Sequence, residues 1–173
     1  MSLLRAIWVL LYAHYEGFLK FAWDLYLEEL QLLSIAREES TEVLARFSLA
    51  KNFRALRGNL SGESLWGVFT KDFQAWMKEE LQFEIRLETN SNLWPNVAKE
   101  NSTEVGLPSA KLDEFEIQLR ALVSRRNDIA HGKKLVVSNL GEYQTYEDAA
   151  TLAMHELAVA VLEALEKKEY LKL

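Results

Sequence analysis

The stretch LVSRRNDIAHGKKL, residues 122–135, gathers the groups of this chain best suited to chemistry. An imidazole exchanges protons near neutrality, while a guanidinium stays charged and grips anionic oxygens. His131 and Arg126 supply one of each, with Asn127 between them and Gly132 placed to end their helix. Leu119, Leu122 and Ile129 form one apolar stripe of that helix, and Arg126 interrupts it. A charge there is costly unless it is paired or opens onto a cleft. His131 falls on a polar stripe with Asn127, Ser124 and Arg120. On an ideal helix Arg126 and His131 stand about 140° apart around the axis and about 7.5 Å apart along it. They cannot stack on one face, yet both can border a cleft at the last turn. Asn127 lies one turn below His131 and can orient its ring. A plainer account covers the same residues: Arg126 pairs with Glu16 inside the core, and His131 complements the negative helix end.

The rest of the chain must position that helix. Its 173 residues fit one domain, 1–173, able to bury roughly 70% of the surface an unfolded chain exposes. Seven Gly and two Pro argue against a loop-rich sandwich and for long helices. Residues 3 to about 33 carry the strongest pattern: Leu4, Trp8, Leu11, Tyr15, Phe18, Ala22 and Leu25 step by three and four. Ile7, Leu10, Gly17 and Phe21 widen the stripe, which predicts a helix buried on most sides and a close neighbour at Gly17. A second helix, capped by Ser40 or Thr41, runs to about Gly58, and residues 63–81 read as one or two shorter pieces. LQFEIRLE (81–88) alternates like a strand that has nothing to pair with unless another copy supplies it, so helical and extended forms both stay open. One short helix is expected after Asn92, and the motif helix starts near Ser109 or Ala110. TYED (145–148) has the form of a capping box opening the last helix.

The formal charge of −6 excludes a general nucleic-acid binder, so any such site is a local patch. Without Cys there are no disulfides, thiolate zinc sites or cysteine nucleophiles. IWVLLYA (7–13) is followed at once by His14, Glu16 and Lys20, and no run of 18 apolar residues occurs. Neither a signal peptide nor a membrane span is expected, and a cytoplasmic address is. Three His without clustered partners predict no metal site, and no glycine-rich phosphate loop occurs. His14 is expected in the core, as are the scattered Trp residues. Lys51, Arg54 and Arg57 make a basic strip on the second helix.

RRNDIAHG resembles the signature of the HEPN superfamily, in which an Arg, a polar residue and a His end a late helix. LLYAHYEGFLK (10–20) is similar to the first helix of stand-alone bacterial HEPN proteins, and the closing helix fits as well. The resemblance implies an all-α, up-and-down helical bundle with a long first helix and a less regular middle. It also implies a metal-independent ribonuclease without cofactor, a toxin or antiviral-defence component. Such proteins work as homodimers whose two motifs share one cleft, and a cognate antitoxin is an expected partner. Arg126, Asn127 and His131 would then be catalytic, with Lys133, Lys134 and Arg125 as a basic rim for RNA and Glu16 in support. The alternative is a HEPN-fold module that dimerises or binds a partner without cleaving.

Overall fold

The computed structural model describes residues 2–58, 60–133 and 140–172, with side chains from residue 5 onward. The chain is all-α. Helix α1 (Ser2–Leu32) and helix α9 (Leu140–Glu166) pack along one another, with α8 (Glu116–Ala130) against both. The core face of α1 is aromatic, with Trp8, Tyr12, Tyr15, Trp23 and Tyr26 all buried. Helix α9 answers with Ala149, Ala150, Ala153, Ala160 and Ala164, small residues that let its backbone come close to those rings. Leu119, Leu122 and Val123 of α8 close the core. Each of these buried branched side chains contributes about 1.5–3 kcal/mol through loss of contact with water.

The opposite face of α1 is not covered. Leu10, Phe21 and Leu25 are exposed, so the helix is not buried on most sides as its breadth of apolar residues predicts. A Cβ at Gly17 would meet nothing within 4 Å, which removes the expected close neighbour. His14 is exposed rather than in the core, and Trp66 is largely exposed too.

Between α1 and α8 the chain is built from short pieces: α2 (Glu42–Ser48), α3 (Ala50–Leu56), α4 (Gly62–Gly67), a π-helical turn (Val68–Asp72), α5 (Phe73–Lys78), α6 (Pro95–Glu104) and α7 (Ala110–Glu114). The expected second helix is thus divided at Leu49, and the motif helix is divided at Phe115. Arg37 ties several pieces together. Its Nε donates to Ser48 Oγ at 2.8 Å, and its Nη1 donates to Trp76 O and Glu79 Oε2.

Residues 81–88 form neither helix nor strand and bend at Ile85, with Leu81 and Leu87 buried and Gln82, Glu84, Arg86 and Glu88 exposed. Among the described residues there is no strand, only isolated bridges. Side chains stand in for the missing strand. Ser48 Oγ accepts from Gln82 N and donates to Gln82 O, Gln31 Oε1 accepts from Phe83 N, and Asn101 Nδ2 donates to Glu88 O. These side chains satisfy four of the segment's obligatory backbone groups.

The last helix begins earlier than its capping-box pattern predicts. Thr145 lies inside it and donates back to Gly141 O. Tyr143 and Tyr146 of this early part pack on Trp8, with ring centroids 5.9 and 4.7 Å away, and so give the added turns a core contact. Tertiary packing outweighs the local signal here.

Candidate functional site

The motif helix ends as its glycine requires. Gly132 has φ +73°, a left-handed conformation that costs glycine little. Its N–H donates to Ile129 O, and the Lys133 N–H reaches Asp128 O at 2.9 Å, which caps the last turn. His131 is the capping residue, held through its own N–H on Asn127 O. Its side chain is exposed and has no hydrogen-bond or ion-pair partner among the described residues.

Arg126 is partly buried on the core side. Its Nη1 donates to Asn127 Oδ1 at 3.0 Å and to Asn92 Oδ1 at 3.2 Å, and its guanidinium lies over the Tyr12 ring at 4.9 Å. All three partners are neutral, and no carboxylate lies within ion-pair distance of it among the described residues. The expected core pair with Glu16 is therefore not formed. Glu16 acts one step away, through Tyr12. Burial pushes the Tyr12 hydroxyl up to about 12, and the Glu16 carboxylate adds to that shift. The Leu93 N–H and the Arg126 charge oppose it.

Asn92 and Tyr12 belong to the site although the motif pattern does not contain them. Asn90 and Ser91 have φ +50° and +68°, two non-glycine residues in left-handed backbone. The turn they form has Asn92 N donating to Thr89 O, and it brings the Asn92 amide to Arg126. The next residue donates its N–H to Tyr12 Oη at 2.8 Å, which joins this turn to α1. The sequence signal was the turn-forming run TNSN, which says that the chain reverses but not what it reaches.

The remaining expected site residues divide. Asn127 bonds Arg126 rather than His131. Arg125 turns inward: its guanidinium lies 4.8 Å from the Trp8 ring and 5.3 Å from the Tyr146 ring, and Nη2 pairs with Glu142. It ties α8 to α1 and α9 and is no part of an exposed rim. Lys133 is exposed and pairs with Asp128 at 2.7 Å. Lys134 lies outside the described residues. The site is thus a charged guanidinium on a neutral bed and, at the end of the same helix, an exposed imidazole with no partner among the described residues. Such a pair can bind an anionic group and exchange a proton with it.

The family model described as HEPN_MAE_28990-like HEPN matches residues 1–170. The chain belongs to the HEPN family. Neither a curated protein nor a solved structure matches it. In this HEPN chain the Arg and His of the motif stand on the two sides of one helix end, as their spacing requires. Among the described residues, no group of three or more His, Asp or Glu side chains could hold a metal ion. No described helix is long and apolar enough to cross a membrane.

Proposed function

We propose that this HEPN chain is a metal-independent RNA endonuclease of the cytoplasm, acting as a toxin or antiviral-defence component. The observation that carries this reading is Arg126: a partly buried guanidinium whose partners are all neutral keeps its charge for an incoming anion. A ribose 2′-OH would attack the adjacent phosphorus while the bond to the 5′ oxygen breaks. The products are a 2′,3′-cyclic phosphate and a 5′-hydroxyl. Arg126 holds the phosphate as charge develops on it. One His131 imidazole takes the 2′-OH proton, and a second supplies the proton that the leaving oxygen needs.

Two imidazoles require two protomers. A homodimer with a shared cleft therefore belongs to the proposal, and the apolar residues exposed along α1 support it. A cognate antitoxin would be the second partner. A non-catalytic binding module is favoured by one observation: Asn127 bonds Arg126, and among the described residues the His131 ring has no orienting partner. Cleavage of a labelled single-stranded RNA in EDTA decides between the two. Wild type is expected to cut, and His131→Ala and Arg126→Ala to lose 10²-fold or more while keeping a helical circular-dichroism spectrum. Cleavage by both variants at the wild-type rate would end the nuclease proposal.

A further inference from the structure

The chain has nine arginines, and they fall into two sets. Arg37, Arg120, Arg125 and Arg126 have acceptors or ring partners, and Arg5 is engaged as well. Arg46, Arg54, Arg57 and Arg86 have none among the described residues, and all four are exposed. Those four line a single groove of about 680 Å³ between α2, α3, residues 85–90 and α6. Lys51, which belongs to the basic strip legible in the sequence, is spent on an ion pair with Glu84. Arg46 and Arg86 replace it, and they come from outside that strip.

The lining is chemically mixed. Glu88, Glu100 and Glu104 line the groove too, and among the described residues none of them lies within ion-pair distance of the arginines. Phe53 and Leu87 add apolar lining. A simple polyanion would meet carboxylates it does not want. A nucleotide suits all three kinds of lining: its phosphate meets guanidiniums, its base rests on apolar side chains, and its N–H donors meet carboxylates. The volume falls within the roughly 300–1,000 Å³ of organic ligand sites, so it has room for more than a lone phosphate.

A second groove, lined by Lys20, Asp24 and Ser91, shares Arg86 and Asn90 with the first. Ser91 adjoins Asn92, whose amide holds Arg126. The path from Arg86 to Asn92 spans at most about 20 Å of chain. We infer that the groove lined by Arg46, Arg54, Arg57 and Arg86 is a binding track for single-stranded RNA that leads to Arg126. The choice of RNA rests on the proposed function; the groove and its unpartnered arginines do not.

The test uses the full chain carrying His131→Ala and a fluorescein-labelled 12-nucleotide RNA, with anisotropy read from 50 to 300 mM KCl. Arg54→Gln with Arg57→Gln, and separately Arg46→Gln with Arg86→Gln, are expected to weaken binding tenfold or more. Each pair should also lower the log–log salt slope by about 1.4, since each neutralised phosphate on a single strand contributes about 0.7. Lys78→Gln with Lys168→Gln makes the same change of charge on exposed residues outside the groove and should leave both quantities within twofold. The track is overturned if the control pair weakens binding as much as the groove pairs. It is also overturned if the groove pairs leave affinity and slope unchanged, or if polyphosphate of equal charge displaces the RNA as readily as unlabelled RNA does. Nuclease failure is separable: a chain that never cuts yet loses RNA through the groove pairs keeps the track. A chain that cuts with an unchanged KM after all four substitutions loses it.

Discussion

Asn92 Oδ1 and Arg126 Nη1 meet at 3.2 Å although 34 residues of chain separate them. This contact fixes a guanidinium from the motif helix against the strained turn at Asn90 and Ser91. Because the acceptor is neutral, it orients the charge without cancelling it. Asn92→Ala should therefore cost a few-fold in RNA cleavage and about 1 kcal/mol of stability, the worth of a partly buried hydrogen bond. Asn92→Asp should separate stability from cleavage. It gives Arg126 a carboxylate and leaves melting unchanged or higher, but it competes with phosphate and lowers kcat/KM tenfold or more. If Asp at this position cut RNA as well as Asn does, neutrality of the bed would have no role.

Arg125 makes a contrasting prediction. It is enclosed by Trp8 and Tyr146 and paired with Glu142, and its Nη1 finds no acceptor among the described residues. Arg125→Ala removes two ring contacts of about 0.5–2 kcal/mol each together with the pairing to Glu142. With the partial exposure of the pair taken into account, a loss of about 3 kcal/mol is expected, or on the order of 10 °C in Tm. The salt slope of RNA binding should not move. A slope reduced by about 0.7 with unchanged Tm would return Arg125 to the RNA-facing surface.

What the sequence disclosed follows from which forces are local. Gly132 ends the helix, and Arg126 and His131 diverge around it, because cap chemistry and the 3.6-residue period need only neighbours in sequence. The all-α fold was legible for the same reason. Arg125 was misplaced because one step along a helix decides between rim and core, and its aromatic partners sit on α1 and α9. Thr145 looked like a cap until Trp8 gave Tyr143 and Tyr146 something to pack on. Asn92 and Tyr12 were invisible as site residues, since no spacing rule relates position 12 or 92 to position 126. The alternation of residues 81–88 shows in their burial, but they form neither helix nor strand, and Ser48, Gln31 and Asn101, which bond part of their backbone, come from three distant helices.

Alkaline pH should weaken the fold through its buried phenols. Burial raises Tyr12 to about 12 and raises Tyr15 and Tyr26 further, from an ordinary 10.0. The native state keeps protons that the unfolded chain gives up. Stability is therefore full below about pH 10 and falls as pH climbs toward the native values. At pH 11 each phenol costs about 1.4 kcal/mol, for about 4 kcal/mol together. Urea midpoints at pH 9 and 11 measure this, and Tyr12→Phe should remove about a third of the difference. Phenolate absorbance at 295 nm reaching its full value at pH 10.5 in folded protein would contradict it. Tyr12→Phe also strands the buried Leu93 N–H, so at pH 7 it should cost about 1–3 kcal/mol.

Gly132 offers the sharpest separation of backbone from side-chain effects at the motif. Its φ of +73° disfavours any Cβ, yet a Cβ built there meets nothing within 4 Å, so no clash enters. Gly132→Ala should cost about 1–2 kcal/mol of pure backbone strain, which lowers Tm by about 2–8 °C. The chain can relieve that strain by fraying the last turn, which frees the His131 N–H from Asn127 O and the Lys133 N–H from Asp128 O. A shift of about 1 kcal/mol lowers the ratio of ordered to frayed last turn about fivefold, and RNA cleavage should fall with the ordered population. Gly132→Asn, which tolerates left-handed backbone, should recover most of both losses. Cleavage that tracks Tm through the Gly, Asn and Ala series ties the reaction to the His131 cap, whereas full activity in a destabilised Gly132→Ala chain would detach it.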